Sequence, residues 1–323
     1  MKAVGLFSGG LDSILACKLI QEQGIDVIAV SFKSPFFINE ENIKKIAKEN
    51  SIELKIIDIS EDYIKMVRKP KHGYGKNMNP CIDCKIFMIK KAKEYADKIK
   101  ARFIFTGEVM GQRPMSQLKN TLKLIEKESG LKGKLLRPLS AKVLDETEIE
   151  KDGTINRNKL LDLEGRGRKN QLRLAKKYNI KGYSTPAGGC LLTYSGYCNK
   201  LKDLFRHKGD IDVEDIRLLK VGRHFRVGKA KIIVGRNKED NKELEKARKT
   251  YDLLFDVKDA MSPITLLSGE KNNKIIGIAA SLTARYCDSK DEKVIVKYGM
   301  GKFNKEMIVE KIKEKEIEKI RLN

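Results

Sequence analysis

The stretch VGLFSGGLDSILACKLI, residues 4–20, constrains the fold more than any other part of the sequence. It joins a segment with the pattern of a strand to a segment with the spacing of a helix through a turn that contains two glycines. Residues 2–7 have the apolar pattern of a buried parallel strand, and residues 12–23 carry apolar side chains at helical spacing. Between them stand two glycines and the hydroxyls of Ser8 and Ser13. Helix N-termini favour phosphates, and glycine lets the backbone approach them closely. The turn therefore predicts a phosphate site; a glycine turn that only caps the helix is the alternative.

Strand and helix patterns alternate along the N-terminal half of the chain. We predict further strands at residues 26–32, 53–59, 102–106 and 135–136, and helices at residues 40–49 and 61–67. This alternation predicts an α/β fold, with a parallel sheet and helices on both of its faces. Ligands of such folds bind at the carboxyl ends of the strands. The residues that fall there are Ser8, Ser31, Phe32 and Thr106.

The hexapeptide SGGLDS, residues 8–13, resembles the PP-loop signature SGGxDS of the N-type ATP pyrophosphatases. It is not a Walker A loop, because the G-x-x-x-x-G-K-[ST] spacing is absent. The PP-loop family cleaves ATP between the α and β phosphates and transfers AMP to its substrate. The resemblance implies that Mg²⁺ contacts Asp12 and that the adenine lies at Ser31 or Phe32. It also implies that the pyrophosphate end of ATP is held by Ser8, Gly9, Gly10, Asp12 and Ser13.

The charge of the chain indicates a polyanionic partner. Its 67 basic and 44 acidic residues give a net charge of +23, which favours nucleic acid. Lysine that only serves solubility is the alternative. Since no run approaches 18 apolar residues, we expect no membrane partner. The N-terminus enters a strand without a signal segment, so we expect a cytoplasmic protein.

Three of the six cysteines stand in turn-like contexts. Cys81 and Cys84 form a C-x-x-C before a predicted helix, and Cys190 follows Pro-Ala-Gly-Gly at residues 186–189. In a reducing compartment, clustered cysteines indicate a metal site or catalysis. Our preferred interpretation is an iron–sulfur cluster held by three cysteines, with one iron open to another ligand. The alternatives are a zinc site with His72 as a fourth ligand, a redox pair, a persulfide on Cys190 without metal, and unconnected buried thiols.

Two further segments resemble the tRNA 4-thiouridine synthetases, which are also PP-loop enzymes. They are TGEVMGQRPMSQ, residues 106–117, and LRPLSAKVLDET, residues 136–147. The resemblance covers roughly residues 1–200. It implies that the ATP or uridine pocket is lined by Thr106, Gly107, Glu108, Gln112, Ser116 and Gln117.

We expect the chain to depart from the bacterial members of that family, because its 323 residues leave no room for their N-terminal ferredoxin-like and THUMP domains or their C-terminal rhodanese domain. Its C-x-x-C with a distant third cysteine resembles the cluster-dependent thiouridine synthetases instead. That resemblance implies that Cys81, Cys84 and Cys190 hold a [4Fe–4S] cluster and, with Asp12, form the catalytic centre.

Basic residues concentrate at two places. In the first expected domain, residues 1–200, a helix start carries Arg166, Arg168 and Lys169, which are predicted to face RNA or ATP; a solvated basic helix is the alternative. The second expected domain, residues 201–323, is predicted to be a smaller α+β unit. Its segments VGRHFRV and IIVGRNKEDNKEL resemble the RNA-binding domain of NFACT proteins. This implies tRNA backbone contacts from Arg223, Arg226, Lys229, Lys231 and Arg236. The charged residues 304–323 are predicted to form an exposed helix.

Together these features predict an ATP-dependent tRNA sulfurtransferase that forms AMP and pyrophosphate. We expect 4-thiouridine as its product, with 2-thiouridine as the second choice, and tRNA, ATP and either sulfide or a sulfur-donor protein as its partners. A homodimer is left open. The alternatives are a PP-loop ligase or amidotransferase that modifies RNA, and a non-enzymatic RNA-binding protein with a vestigial nucleotide site.

Overall fold

A computed structural model describes residues 1–37, 40–183 and 190–322, which form two compact units, Met1–Thr193 and Tyr194–Asn323. Pro-Ala-Gly-Gly at residues 186–189 lies outside the described residues. In the described part of the chain, no helix is both long and apolar enough to cross a bilayer.

The first unit is built on a parallel sheet, as the sequence predicts. Its order is β3-β2-β1-β4-β5, and every pairing in it is parallel. The central strand pairs with both neighbours at the same residues, since Leu6 lies opposite Val30 on one side and Thr106 on the other. The strands are β1 (Lys2–Leu6), β2 (Asp26–Lys33), β3 (Glu53–Asp58), β4 (Phe103–Thr106) and β5 (Leu135–Leu136).

Helices flank this sheet and close its core. They are α1 (Leu11–Gln21), α2 (Glu40–Glu49), α3 (Ser60–Arg68), α4 (Cys81–Lys98), α5 (Lys119–Glu128), α6 (Glu148–Lys151) and α7 (Lys169–Lys177). Helix α1 is buried on most of its surface, and Ile14, Leu15 and Ile20 are fully enclosed among strand residues such as Phe105. This central position explains why the helix is apolar almost all round.

The second unit contains a separate antiparallel sheet of order β11-β10-β8-β9-β7-β6. Its strands are β6 (Arg223–Val227), β7 (Ala230–Val234), β8 (Leu253–Val257), β9 (Thr265–Ser268), β10 (Lys293–Gly299) and β11 (Lys305–Glu310). Its helices are α8 (Ser195–His207), α9 (Val213–Leu218), α10 (Lys238–Ala247), α11 (Asn273–Arg285) and α12 (Glu314–Ile320). Helix α11 packs on β8 and β11 over a core that contains Phe255, stacked on Tyr298 with ring centroids 5.5 Å apart.

The prediction of one exposed helix over residues 304–323 is wrong for its first part. Residues Lys305–Glu310 form β11, the antiparallel partner of β10, and only Glu314–Ile320 is helical. Opposite charges pair across the two strands, as between Lys293 and Glu310 at 3.3 Å. Such cross-strand pairs stabilise this charged segment as a strand.

Candidate functional site

The turn between β1 and α1 brings the four small residues of the predicted PP-loop together. Gly9 has a φ of +71°, a conformation that glycine adopts at little cost. The Ser13 hydroxyl donates to the Gly10 carbonyl at 2.8 Å and accepts from the Ser8 N–H at 3.3 Å. The Gly10 N–H in turn donates to the Ser8 hydroxyl at 3.4 Å. The serine hydroxyls therefore shape the turn itself, directly at the start of α1.

Asp12 lies in the first turn of α1 with its carboxylate largely buried. The Gln112 side-chain amide donates to Asp12 Oδ2 at 3.1 Å, whereas buried Asp12 Oδ1 has no hydrogen-bond partner among the described residues. Burial raises the pKa of Asp12, and Gln112, Arg168 and Arg113 offset only part of that rise. One carboxylate oxygen is thus available for a ligand that brings positive charge or a donor.

The segment after β4 packs directly on this turn. A Cβ on Gly107 would lie 2.6 Å from the Asp12 carbonyl oxygen and 2.7 Å from Ser13 Cα, so only glycine fits there. Thr106 ends β4, and Ser31 and Phe32 lie near the end of β2; all three are buried. These predicted ATP residues therefore lie at the carboxyl ends of the strands next to β1, beside the turn.

A buried charge network joins this edge of the sheet to helix α4. Glu108 accepts from Thr106 Oγ1 and from Arg137 Nε, each at 3.1 Å, and is ion-paired with Lys85. Arg137 is only 2% exposed and is also paired with Glu126. Burial alone would raise the pKa of Glu108, but Lys85 and Arg137 outweigh it and lower the pKa to about 2. Glu108 therefore acts as a fixed anion inside the unit. The sequence draws attention to Glu108 through the TGE segment, but not to Lys85, which directly follows Cys84.

The three predicted cysteines share one environment, around Tyr63. The Tyr63 hydroxyl donates to Cys84 Sγ at 2.9 Å, and Asn79 donates to Cys81 Sγ at 3.1 Å. Burial raises the pKa of Tyr63 well above its usual value, and the sulfurs of Cys84, Cys190 and Cys81 raise it further because they are close. Burial likewise raises the pKa of Cys84 to about 12.

Cys190 reaches this group through Phe37. The two residues form an antiparallel bridge, and the Leu191 N–H donates to the Phe36 carbonyl at 3.0 Å. Phe37 follows β2 closely, and its ring contacts Tyr63 edge-on, with centroids 5.1 Å apart. The third thiol is thereby brought to the carboxyl edge of the sheet. Tyr63 and the phenylalanines around it carry no sequence signal of this role.

His72, the candidate fourth zinc ligand, is engaged elsewhere. Its Nδ1 lies 3.1 Å from Asp83 Oδ1, and its Nε2 lies 3.3 Å from Glu128 Oε1. Asp83 also accepts from the backbone N–H groups of Lys71 and His72, each at 3.0 Å. These contacts hold the loop that precedes the C-x-x-C against the start of α4. Across residues 1–37, 40–183 and 190–322, no group of three or more His, Cys, Asp and Glu side chains is placed to hold a metal ion.

The basic residues of the first unit divide into two environments. Arg166 and Lys169 are exposed before and at the start of α7. Arg168 instead lies near Asp12 and lowers its pKa, and its Nε is buried. Gln171, one turn into α7, is 1% exposed and also approaches Asp12. The sequence did not single out Gln171 as a site residue.

Most of the predicted RNA-binding side chains of the second unit have partners within that unit. Asp203 accepts from Arg226 Nε and NH2 at 2.9 and 2.6 Å and from Lys231 at 2.9 Å. Desolvation by itself would raise the pKa of Asp203, but these partners hold it at about 2. The other predicted residues are Arg223, stacked over the Tyr286 ring at 4.4 Å, Arg236, ion-paired with Asp240 at 2.7 Å, and Lys229, which is exposed.

Comparisons with protein families match both units. Residues 1–154 match the family described as thiamine biosynthesis protein (ThiI), and residues 222–321 match the NFACT protein RNA binding domain. These matches confirm the two resemblances that the motifs predict.

Curated relatives match part of the chain. A probable tRNA sulfurtransferase of Thermococcus kodakarensis is 30% identical over 158 residues, which cover 46% of this chain and 39% of that protein. A tRNA-specific 2-thiouridylase MnmA of Nitratiruptor sp. is 32% identical over 117 residues, which cover 33% of this chain and 34% of that protein. The chain thus spans well under half the length of either relative.

A similar solved structure is a 4-thiouridine synthetase in complex with RNA and bound ATP. It aligns with a TM-score of 0.36 at 22% identity, over 55% of this chain and 50% of that chain.

Proposed function

We propose that this protein is an ATP-dependent tRNA sulfurtransferase that replaces a uridine carbonyl oxygen by sulfur, with 4-thiouridine preferred over 2-thiouridine as the product. The observation that carries the proposal is that a PP-loop and three neighbouring thiols belong to one unit and to the same edge of its sheet. Lys85, next to Cys84, is paired with Glu108, two residues after β4. Asp12 and the Gly107 segment are in direct contact at that edge.

The comparisons support the class of reaction. The matched relatives are a probable tRNA sulfurtransferase and a tRNA-specific 2-thiouridylase, and the ThiI family model matches residues 1–154, which contain the PP-loop and two of the thiols. A ligase or amidotransferase of the same superfamily would have no evident use for three clustered thiols, and a protein that only binds RNA would have none for the buried Asp12 carboxylate.

The first step activates the uridine oxygen. A carbonyl oxygen leaves poorly, so it first attacks the α-phosphorus of ATP; pyrophosphate leaves, and N3 gives up its proton. The Ser8–Ser13 turn and the start of α1 would hold the pyrophosphate end through backbone N–H groups. Asp12, with its available Oδ1, would hold the Mg²⁺ that accompanies the phosphates.

The second step exchanges oxygen for sulfur. A sulfide adds to the activated carbon, AMP leaves with the original oxygen, and N3 regains a proton in the thiocarbonyl product. The proposed cluster is supported by three thiols around Tyr63, two of whose sulfurs accept hydrogen bonds from Tyr63 and Asn79. Their side chains would have to move to bind it, since no three of the described His, Cys, Asp and Glu side chains are placed to hold a metal ion. A cluster bound by Cys81, Cys84 and Cys190 would supply a Lewis-acidic iron that keeps sulfide deprotonated. Tyr63 would keep the Cys84 side chain in one orientation.

The second unit is proposed to hold the tRNA backbone. Its match to an RNA-binding domain and its excess of cations support this role. Lys229 and Arg236 are the exposed members of the five predicted residues, whereas Arg226 and Lys231 share Asp203. We therefore propose direct phosphate contacts for Lys229 and Arg236 first, and for Arg223, Arg226 and Lys231 at the margin of the same surface. In the first unit, exposed Arg166 and Lys169 are proposed to contact RNA.

The test is a reconstitution with the full chain. Anaerobically purified protein is incubated with tRNA, MgATP and sulfide, and the tRNA is digested for nucleoside analysis. We expect 4-thiouridine together with equal amounts of AMP and pyrophosphate. Asp12→Ala should abolish pyrophosphate release while tRNA binding persists. Asp26→Ala is the control, because Asp26 is 74% exposed and lies away from the turn. Undiminished release from Asp12→Ala would remove Asp12 from the site.

The metal content is tested separately. The three-thiolate interpretation predicts about four irons per chain, which Cys84→Ser should lose together with thiolation. Cys287→Ser is the matched control, since Cys287 belongs to the second unit. Full activity of an iron-free, zinc-loaded preparation would contradict the cluster and favour a persulfide on Cys190.

A further inference from the structure

Helix α7 and the residue before it carry buried polar atoms that have no hydrogen-bond partner among the described residues. Gln171 is 1% exposed, and neither its Oε1 nor its Nε2 makes a hydrogen bond to any described residue. The same holds for Arg168 Nε, just before the helix. Unpartnered polar atoms in the interior are costly, and proteins retain few of them without a reason.

These atoms converge on the nucleotide turn. Arg168 and Gln171 both approach Asp12 closely enough to lower its pKa. Asp12 Oδ1 is likewise buried without a partner, while its Oδ2 accepts from Gln112. Helix α7 packs on α1, which carries Asp12. Two acceptor and two donor atoms without a hydrogen-bond partner among the described residues thus belong to Asp12 and to two side chains that act on it.

The start of α7 is fastened to the segment that follows β4. Ser140 Oγ accepts from the Met110 N–H at 2.9 Å and donates to the Leu163 carbonyl at 2.6 Å. The Gly165 N–H donates to the Met110 carbonyl at 2.7 Å. The stretch that leads into α7 is thus joined to the segment that contributes Gly107 and Gln112.

The unpartnered atoms include both hydrogen-bond donors and acceptors, and this combination indicates which kind of ligand they would bind. The acceptors, Asp12 Oδ1 and Gln171 Oε1, suit a divalent cation, and the donors, Gln171 Nε2 and Arg168 Nε, suit an anionic oxygen. Asp12 would repel a phosphate without a cation, and Arg168 would repel a cation without a phosphate. We propose that Gln171 and Arg168 form part of the nucleotide site and bind the metal-bound phosphate group of ATP.

This inference rests on the proposed ATP-dependent function. It assigns Arg168 to the nucleotide, whereas the sequence predicts only that Arg168 faces either RNA or ATP. Buried Gln171 cannot meet RNA at the surface. In a purely structural role, Gln171 would only orient the Asp12 carboxylate beside it, and its replacement would leave nucleotide affinity unchanged. The binding of metal and phosphate together, with neither bound well alone, is the signature of the proposed site.

The experiment measures ligand binding and ligand-free stability side by side. Calorimetric titrations of the full chain use Mg²⁺ alone, pyrophosphate alone, and Mg²⁺ with α,β-methylene-ATP, which resists cleavage. The test variant is Gln171→Met, which keeps the length of the side chain and removes its polar atoms. The control is Arg173→Met, since Arg173 is exposed on the same helix.

We expect Gln171→Met to melt at the same or a higher temperature without ligand, because it removes unpartnered polar atoms from the interior. We expect it to bind the magnesium–nucleotide complex at least roughly 10-fold more weakly than the wild type, while Arg173→Met binds normally. If Gln171→Met proves unfoldable, Gln171→Leu removes the same polar atoms with a smaller apolar side chain and should weaken nucleotide binding in the same way.

Two results would overturn the inference. Unchanged nucleotide affinity in Gln171→Met or Gln171→Leu, with normal binding by the wild type, would make Gln171 a packing residue and leave the proposed function intact. A lower melting temperature in Gln171→Met together with unchanged affinity would lead to the same conclusion. Absence of nucleotide binding by the wild type would instead refute the proposed function itself.

Discussion

Replacing Glu108 by glutamine tests whether the buried charge network holds the carboxyl edge of the first sheet together. Glu108 is buried and accepts from Thr106 and Arg137 at 3.1 Å, with Lys85 as its ion-pair partner. Glu108→Gln keeps the shape of the side chain but removes the negative charge between two cations. Arg137, which is 2% exposed, then retains only Glu126. Loss of one member of a buried ion pair is strongly destabilising, because the remaining charge cannot reach water.

The size of the effect follows from the pKa of Glu108. It falls from 4.5 to about 2 on folding, which corresponds to roughly 3 kcal/mol in favour of the folded state at neutral pH. Because the folded pKa lies below the unfolded one, this contribution is fully present above pH 4.5 and is lost as the pH falls toward 2. Glu108→Gln should be less stable by about 3 kcal/mol at pH 7 and should lack that part of the acid sensitivity.

Hydrogen exchange of the β4 amides measures this change locally in the full chain. We expect the amides of Phe103–Thr106 to exchange on the order of 100-fold faster in Glu108→Gln at pH 7. Glu94→Gln is the matched control, because Glu94 is 64% exposed and pairs with Lys91 only at the surface; it should change stability by less than about 0.5 kcal/mol. Equal exchange rates in Glu108→Gln and the wild type would refute the reasoning.

Three further predictions concern the turn and the second unit. Gly107→Ala places a Cβ 2.6 Å from the Asp12 carbonyl oxygen, so we expect weaker MgATP binding by calorimetry and a lower melting temperature. Unchanged binding would show that the backbone of the turn can shift to accept the Cβ without loss of the nucleotide site. Arg226→Ala removes two hydrogen bonds to buried Asp203 and should cost about 2 kcal/mol in thermal unfolding, whereas no loss would mean that this pair contributes nothing. Lys229→Ala should preserve stability and reduce the slope of log tRNA affinity against log salt by about one unit, and an unchanged slope would exclude Lys229 from phosphate contact.

The parallel fold was predictable because its signals are local. The apolar strand before the turn, the glycines within it and the helical spacing after it all lie inside residues 4–20, and the structure has β1 and α1 there. Strand β11 was missed because its support comes from β10, across a turn that contains Gly301 with a φ of +99°. A periodicity within one charged segment cannot show which strand will pair with it.

The site was predictable only where residues belong to motifs. The turn residues and the three cysteines could be named from spacing and resemblance. The Tyr63 hydroxyl and Gln171 could not, since their neighbours depend on packing between distant elements. The sequence likewise could not show which cations of the second unit are paired within the protein. Arg226 and Lys231 suggest a free basic surface, but Asp203 on helix α8 neutralises part of it.

The bridge between Phe37 and Cys190 has a consequence for the order in which the protein assembles. These partners lie roughly 150 residues apart in sequence, so closing the segment between them is one of the most entropically demanding contacts in the unit. The turn at Ser8–Ser13, Tyr63 and the first two thiols all emerge from the ribosome long before Cys190 does. A nascent chain could therefore form its nucleotide turn early, while its sulfur centre stays incomplete until the end of the first unit has been made. Maturation of that centre would then be a late step, coupled to completion of the unit.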